Sequence, residues 1–160
     1  MKKKTNTALI FILAALSFSL IAAYIIEYGL GHKPCKLCVY QRIPYFFSIV
    51  LILNILLIKR YVKPALLLLA LVSLSGSILG FYHFGIEQGF FSESLVCETK
   101  NLDNNLSKEE ILKQLKESTV SCKDVNFKVF GLSLASINAI FSFVLLIIFI
   151  KLYKNYETNW

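Results

Sequence analysis

The chain has 160 residues, of which 56% are hydrophobic, with a mean hydropathy of +0.63 and a formal charge of +7. Apolar residues at this density, gathered in long blocks, exclude a soluble globular domain and leave room for one membrane domain over residues 1–160. The positive charge sits beside the blocks, where it sets orientation in a membrane, so it does not signal nucleic-acid binding.

Four blocks predict an all-α, four-helix transmembrane bundle with spans over about 8–26, 43–58, 65–84 and 132–150. The first, third and fourth have the roughly 20 residues needed to cross the hydrocarbon core. The first follows Lys2-Lys3-Lys4, as a secretory signal would. It is longer than a signal's apolar region, however, and Glu27 follows it without an Ala-x-Ala site, so a retained helix is expected. The second block is short and extends back through Val39 and Tyr40 if Arg42 lies at the interface. Pro64 fits the first turn of the third span. Within that span Ser73, Gly76, Ser77 and Gly80 form a small-residue stripe that permits close helix approach. In the long polar segment 85–131, Ser107-Lys-Glu-Glu110 has the form of a capping box. Leu106, Ile111, Leu112 and Leu115 then predict a short amphipathic helix, lying along the membrane or against the span ends.

Charge predicts the sidedness. Lys2, Lys3, Lys4, Lys59, Arg60, Lys63, Lys151 and Lys154 face only Glu157, and an even number of crossings separates these three flanks. That side is expected to be cytoplasmic, with both termini on it. Segments 27–42 and 85–131 then lie outside. They hold all four cysteines, which in a bacterial-type cell face the oxidising periplasm.

Cys35 and Cys38 make a Cys-x-x-Cys directly after the first span, and Cys97 and Cys122 share the long outer segment. A Cys-x-x-Cys is a redox-active arrangement, and a second pair within reach gives its electrons a source. If the chain is helical from Cys35, both sulfurs lie on one face, with Arg42 four residues after Cys38 on that face. A thiolate near a guanidinium and a helix N-terminus is stabilised, with Lys33 and Lys36 adding positive charge. Pro34 would open this helix, and Pro44 must kink it or mark a second start. An arginine at the hydrocarbon boundary is costly, which favours a functional role over that of a snorkelling anchor.

The string Cys35-Lys-Leu-Cys38-Val-Tyr-Gln-Arg42 between spans one and two resembles the signature of the disulfide-bond-formation protein B (DsbB) family. Phe130-Gly-Leu-Ser-Leu-Ala135 resembles that family's entry to span four. The resemblance covers nearly the whole chain and implies a four-helix quinone reductase of the bacterial inner membrane. Such an enzyme reoxidises a periplasmic thioredoxin-fold dithiol oxidase. It further implies that Cys35 and Cys38 are the quinone-coupled pair, that Arg42 is the quinone-site arginine, and that Cys97 and Cys122 exchange with the partner. Gln41 departs from the acid often found before the arginine. The expected route runs from partner attack at Cys97, to attack of Cys122 on Cys35, to release of Cys38 as the thiolate that reduces ubiquinone or menaquinone. His83 and Glu87, four residues apart at the outer end of span three, share a helical face. They suggest a proton path for the quinone, the alternative being an interfacial pair that anchors the helix end. His32 reads as a loop residue.

Other classes account for fewer of these features. Structural zinc wants two closely spaced knuckles, which Cys97 and Cys122 do not make, so no metal site is expected. A non-enzymatic protein with structural disulfides gives no reason for a Cys-x-x-Cys beside an arginine. A vitamin K epoxide reductase-like enzyme, also quinone-linked, carries its Cys-x-x-Cys at the last spans rather than after the first. A transporter would show mid-span acids or broken helices.

Overall fold

A computed structural model describes residues 3–92, 121–123, 128–129 and 131–157. Helix α1 (Lys3–Tyr24) runs into a π-helical turn, Ile25–Gly29, and α2 (Lys36–Tyr40) and α3 (Arg42–Ile58) then follow almost end to end. After α4 (Val62–Glu87) a hairpin of β1 (Lys128–Val129) antiparallel to β2 (Leu132–Ser133) leads into α5 (Leu134–Glu157). Four helical stretches are long and apolar enough to cross a membrane: Lys4–Gly29, Lys36–Ile58, Val62–Glu87 and Leu134–Tyr156. The expected four-helix architecture is present. Each span extends past its apolar block at one end or both, because a helix keeps its backbone groups paired through the interface.

Local chemistry sets the boundaries. Cys35, with φ −70 and ψ 165, is the N-cap of α2, and its sulfur accepts the Cys38 N–H at 3.2 Å. Gln41 alone separates α2 from α3, and Pro44 falls in the first turn of α3, where its missing N–H removes no helical bond. Pro44 therefore marks a second start rather than a kink. Lys59 adopts the left-handed conformation (φ 56) that ends α3, and Pro64 sits in the first turn of α4. Gly131, at φ +82, makes the hairpin turn, and Ser133 Oγ accepts the Ser136 N–H at 3.2 Å. That bond caps α5. Span four accordingly begins at Leu134, with residues 132–133 in β2 rather than in the helix.

Large apolar side chains face outward, with Phe11 and Phe18 each 72% exposed, as a lipid-facing surface requires. In lipid the hydrophobic effect does not drive helices together, so association rests on close packing. The small-residue stripe supplies it. A Cβ on Gly80 would lie 2.8 Å from Ala139 Cα, and one on Gly76 would lie 3.1 Å from Ser142 Oγ. Leu9, Leu16, Ile52, Ile55, Leu66, Leu69 and Phe149 form the main buried cluster, toward the end that carries both termini. A second cluster of Cys35, Leu37, Ile86 and Cys122 occupies the opposite end. The amphipathic helix expected near Ser107–Leu115 lies outside the described residues, as does Cys97.

Candidate redox site

The start of α2 brings the first cysteine pair together. Cys35 is the cap and Cys38 the third helical residue, and their sulfurs approach to 2.7 Å as free thiols. Cys35 is buried against Leu37, Ile86 and Cys122. Cys122 is buried as well, and is disulfide-bonded. Cys35 Sγ, Cys122 Sγ and a ring nitrogen of His83 lie within 4.8 Å of one another. A disulfide sulfur is thus set beside a thiol, the arrangement that thiol–disulfide exchange needs. The same three donors have a spacing suited to a soft metal ion, but Cys122 offers no thiolate while its disulfide is intact.

His83 comes from the last turns of α4, where it is 3% exposed. Its Nε2 lies 3.5 Å from Cys35 Sγ, and its Nδ1 lies 3.1 Å from Gln41 Nε2. Gln41 Nε2 also donates to the Leu79 carbonyl at 3.4 Å. Glu87, one turn on, places Oε1 3.8 Å from His83 Nε2, so the two share a face as their spacing predicts. The Cys38 hydrogen bond, seconded by His83, holds the Cys35 thiol down at about 5, against burial that pushes it up.

Arg42 takes a different place from the one expected. Rather than resting on Cys38, its Nη1 pairs with Glu27 at 2.5 Å and its guanidinium lies 4.8 Å over the Tyr24 ring. The thiol held low is Cys35, through Cys38 and His83. Arg42 and Cys38 nevertheless line the same cavity, of about 490 Å³, between the four spans. Phe18, Ile26, Ile137 and Phe141 contribute apolar wall, while Cys35, Cys38, Arg42, His83 and Glu87 bring the polar groups. Tyr45 Oη donates to Asn138 Oδ1, tying α3 to α5 at this wall. An apolar chamber carrying thiols and a guanidinium fits a planar, lipid-soluble ring with polar edges.

Reading the sequence alone passes over Gln41 as a working residue, and over Glu27, Tyr24, Tyr45 and Asn138. One signal was present for Glu27, the single acid between the first span and Arg42. The other contacts join residues on separate helices and leave no mark on local periodicity.

Four apolar spans around a Cys-x-x-Cys whose first cysteine is buried, with a third, disulfide-bonded cysteine against it, define a membrane protein of thiol–disulfide exchange. The family model described as "Disulfide bond formation protein DsbB" matches residues 5–152, and the chain belongs to this family. It is therefore a multi-pass membrane disulfide oxidoreductase. The chain is also 33% identical over 149 residues to "Uncharacterized protein RP370" of Rickettsia prowazekii (strain Madrid E), across 91% of this chain and 87% of that protein.

Proposed function

We propose that the protein draws electron pairs from a periplasmic thioredoxin-fold dithiol oxidase and passes them to ubiquinone or menaquinone in the bacterial inner membrane. The observation that carries this reading is the close approach of Cys122 and Cys35 beside a cavity lined by Cys38 and Arg42. A partner thiolate attacks the disulfide of the second pair at Cys97, and Cys122 leaves. Cys122 then attacks Cys35 of the oxidised first pair, forming a Cys35–Cys122 bond and releasing Cys38 as a thiolate. The chain's own groups prepare the rest of the cycle. Arg42, braced by Glu27 and Tyr24, holds positive charge at the cavity wall, and His83 with Glu87 supplies a place for protons. Arg42, Cys38 and the apolar walls would hold a quinone, which when bound would supply an acceptor for two electrons and two protons per disulfide formed. A strongly oxidising partner, near about −120 mV, needs such an acceptor because an ordinary disulfide cannot regenerate it.

The test uses the purified full chain with a reduced thioredoxin-fold partner and a water-soluble quinone. Thiols should disappear catalytically, one quinone being reduced for each pair. Absence of turnover with every quinone and every such partner tried would overturn the reading.

A further inference from the structure

The hydrogen bonds around His83 determine which of its nitrogens carries the proton. The Leu79 carbonyl can only accept, so the amide end of Gln41 that faces it at 3.4 Å is the NH2 group. That same nitrogen lies 3.1 Å from His83 Nδ1. Nδ1 is therefore an acceptor and bears no proton. A neutral imidazole must then carry its proton on Nε2, which is the nitrogen 3.5 Å from Cys35 Sγ. Gln41 is 7% exposed and His83 3%, so little of either side chain is open to solvent. A glutamate in place of Gln41 would do the reverse, accepting from Nδ1–H and drawing the ring toward imidazolium.

We propose that Gln41 is a positioning residue that fixes His83 in the Nε2–H tautomer, and that His83 donates this proton in a hydrogen bond to the Cys35 sulfur whenever Cys35 departs as a thiolate. The step served is the release of Cys35 from its bond to Cys122. The thiolate that rebuilds the second disulfide attacks Cys122 Sγ, the Cys35–Cys122 bond breaks, and the electron pair of that bond goes to Cys35 Sγ. One disulfide forms as one breaks, so no outside oxidant is required. A sulfur whose thiolate is stabilised leaves faster. Among the described residues, Cys38 on α2, His83 on α4 and Cys122 stand against Cys35, with Glu87 3.8 Å from His83 Nε2. Glu27, His32, Lys33 and Arg42 also line the cavity, and α5 contributes no charged group to it. His83 Nε2, 3.5 Å away, is placed to donate to this sulfur. The inference rests on the disulfide chemistry of the family and does not require the quinone.

Two measurements test it on the full chain in detergent, without quinone or partner, so that failure here leaves the proposed function standing. The chain has two histidines, so nitrogen-15 NMR of histidine-labelled protein, assigned with His32→Asn, reads the His83 tautomer directly. Nε2–H is expected in the native chain, and protonation at Nδ1 in Gln41→Glu. In a Cys38→Ser background, alkylation of Cys35 at pH 6 should slow roughly tenfold on His83→Leu, as loss of a hydrogen bond to a charged group predicts, and slow in the same direction on Gln41→Leu. Should Gln41→Leu fail to fold, the isosteric Gln41→Glu and the native spectrum still decide the matter. An Nδ1–H tautomer in the native chain, or an alkylation rate unmoved by His83→Leu, overturns the proposal.

Discussion

At Cys35 one sulfur caps a helix and, in the proposed cycle, also exchanges disulfides. It accepts the Cys38 N–H at 3.2 Å, meets Cys38 Sγ at 2.7 Å, and has its thiol held at about 5. A thiol lowered this far is ionised at neutral pH and regains its proton only as pH falls through that value. Alkylation of Cys35 in the reduced protein should therefore be nearly flat from pH 8 to 6 and collapse below about 5, whereas an ordinary thiol near 8.5 would already lose rate below pH 8. Within the second pair, Cys122→Ser should accumulate a mixed disulfide with the partner through Cys97, because the thiol that resolves it is gone. Cys97→Ser should not, and equal trapping on non-reducing gels would reverse the two roles. Arg42→Ala should raise the KM for quinone about tenfold or more, on the scale of a lost charge-assisted hydrogen bond, while partner exchange stays intact. Arg42→Lys should restore only part, since an ammonium cannot reproduce the planar fork held between Glu27 and Tyr24. Quinone kinetics identical to wild type in Arg42→Ala would return the residue to a simple interface anchor.

Among the helices, the redox end is aligned by the contact of α4 with α5. Gly80 lies against the backbone of Ala139, with a Cβ placed 2.8 Å from its Cα and 2.9 Å from its nitrogen, so nothing there can rotate away. Gly76 faces the Ser142 hydroxyl at 3.1 Å, and a side chain can yield by a few tenths of an ångström. Alanine is the better helix former by about 1 kcal/mol, a gain that offsets the crowding at Gly76 but not at Gly80. Gly80→Ala should thus cost about 1–3 kcal/mol through overpacking, while Gly76→Ala stays near neutral. Thermal unfolding of both variants in detergent checks this, and equal shifts would mean that the helices are not held at Gly80. Because His83 follows Gly80 by less than a turn, Gly80→Ala should also slow exchange between the cysteine pairs. The break at Gln41 has a similar consequence, since it separates α2, whose N-terminus carries the Cys-x-x-Cys, from α3, which starts with Arg42 at its head.

For the molecule as a whole, charge predicts one orientation and the described cysteines gather at one end. In a cysteine-free variant, a cysteine at Gly31 should react with a membrane-impermeant maleimide added from the periplasmic side, and a cysteine at Lys59 should not. The opposite pattern would reverse the sidedness and remove the periplasmic partner. Much of this architecture is legible in the chain, because spans announce themselves as apolar runs and helical faces as spacings of three and four. The four spans, the pairing of Cys35 with Cys38, and the shared face of His83 and Glu87 are all local in this sense. Membership of the redox class follows from the same string that ends in Arg42. The meeting of Cys122 with Cys35, the clasp of Gln41 on His83, and the capture of Arg42 by Glu27 required the tertiary structure. Periodicity states which face of a helix is apolar, but not which residue of another helix will stand opposite a given polar atom. That choice is made by backbone approach at points such as Gly80 against Ala139, where a fraction of an ångström decides which side chains can touch.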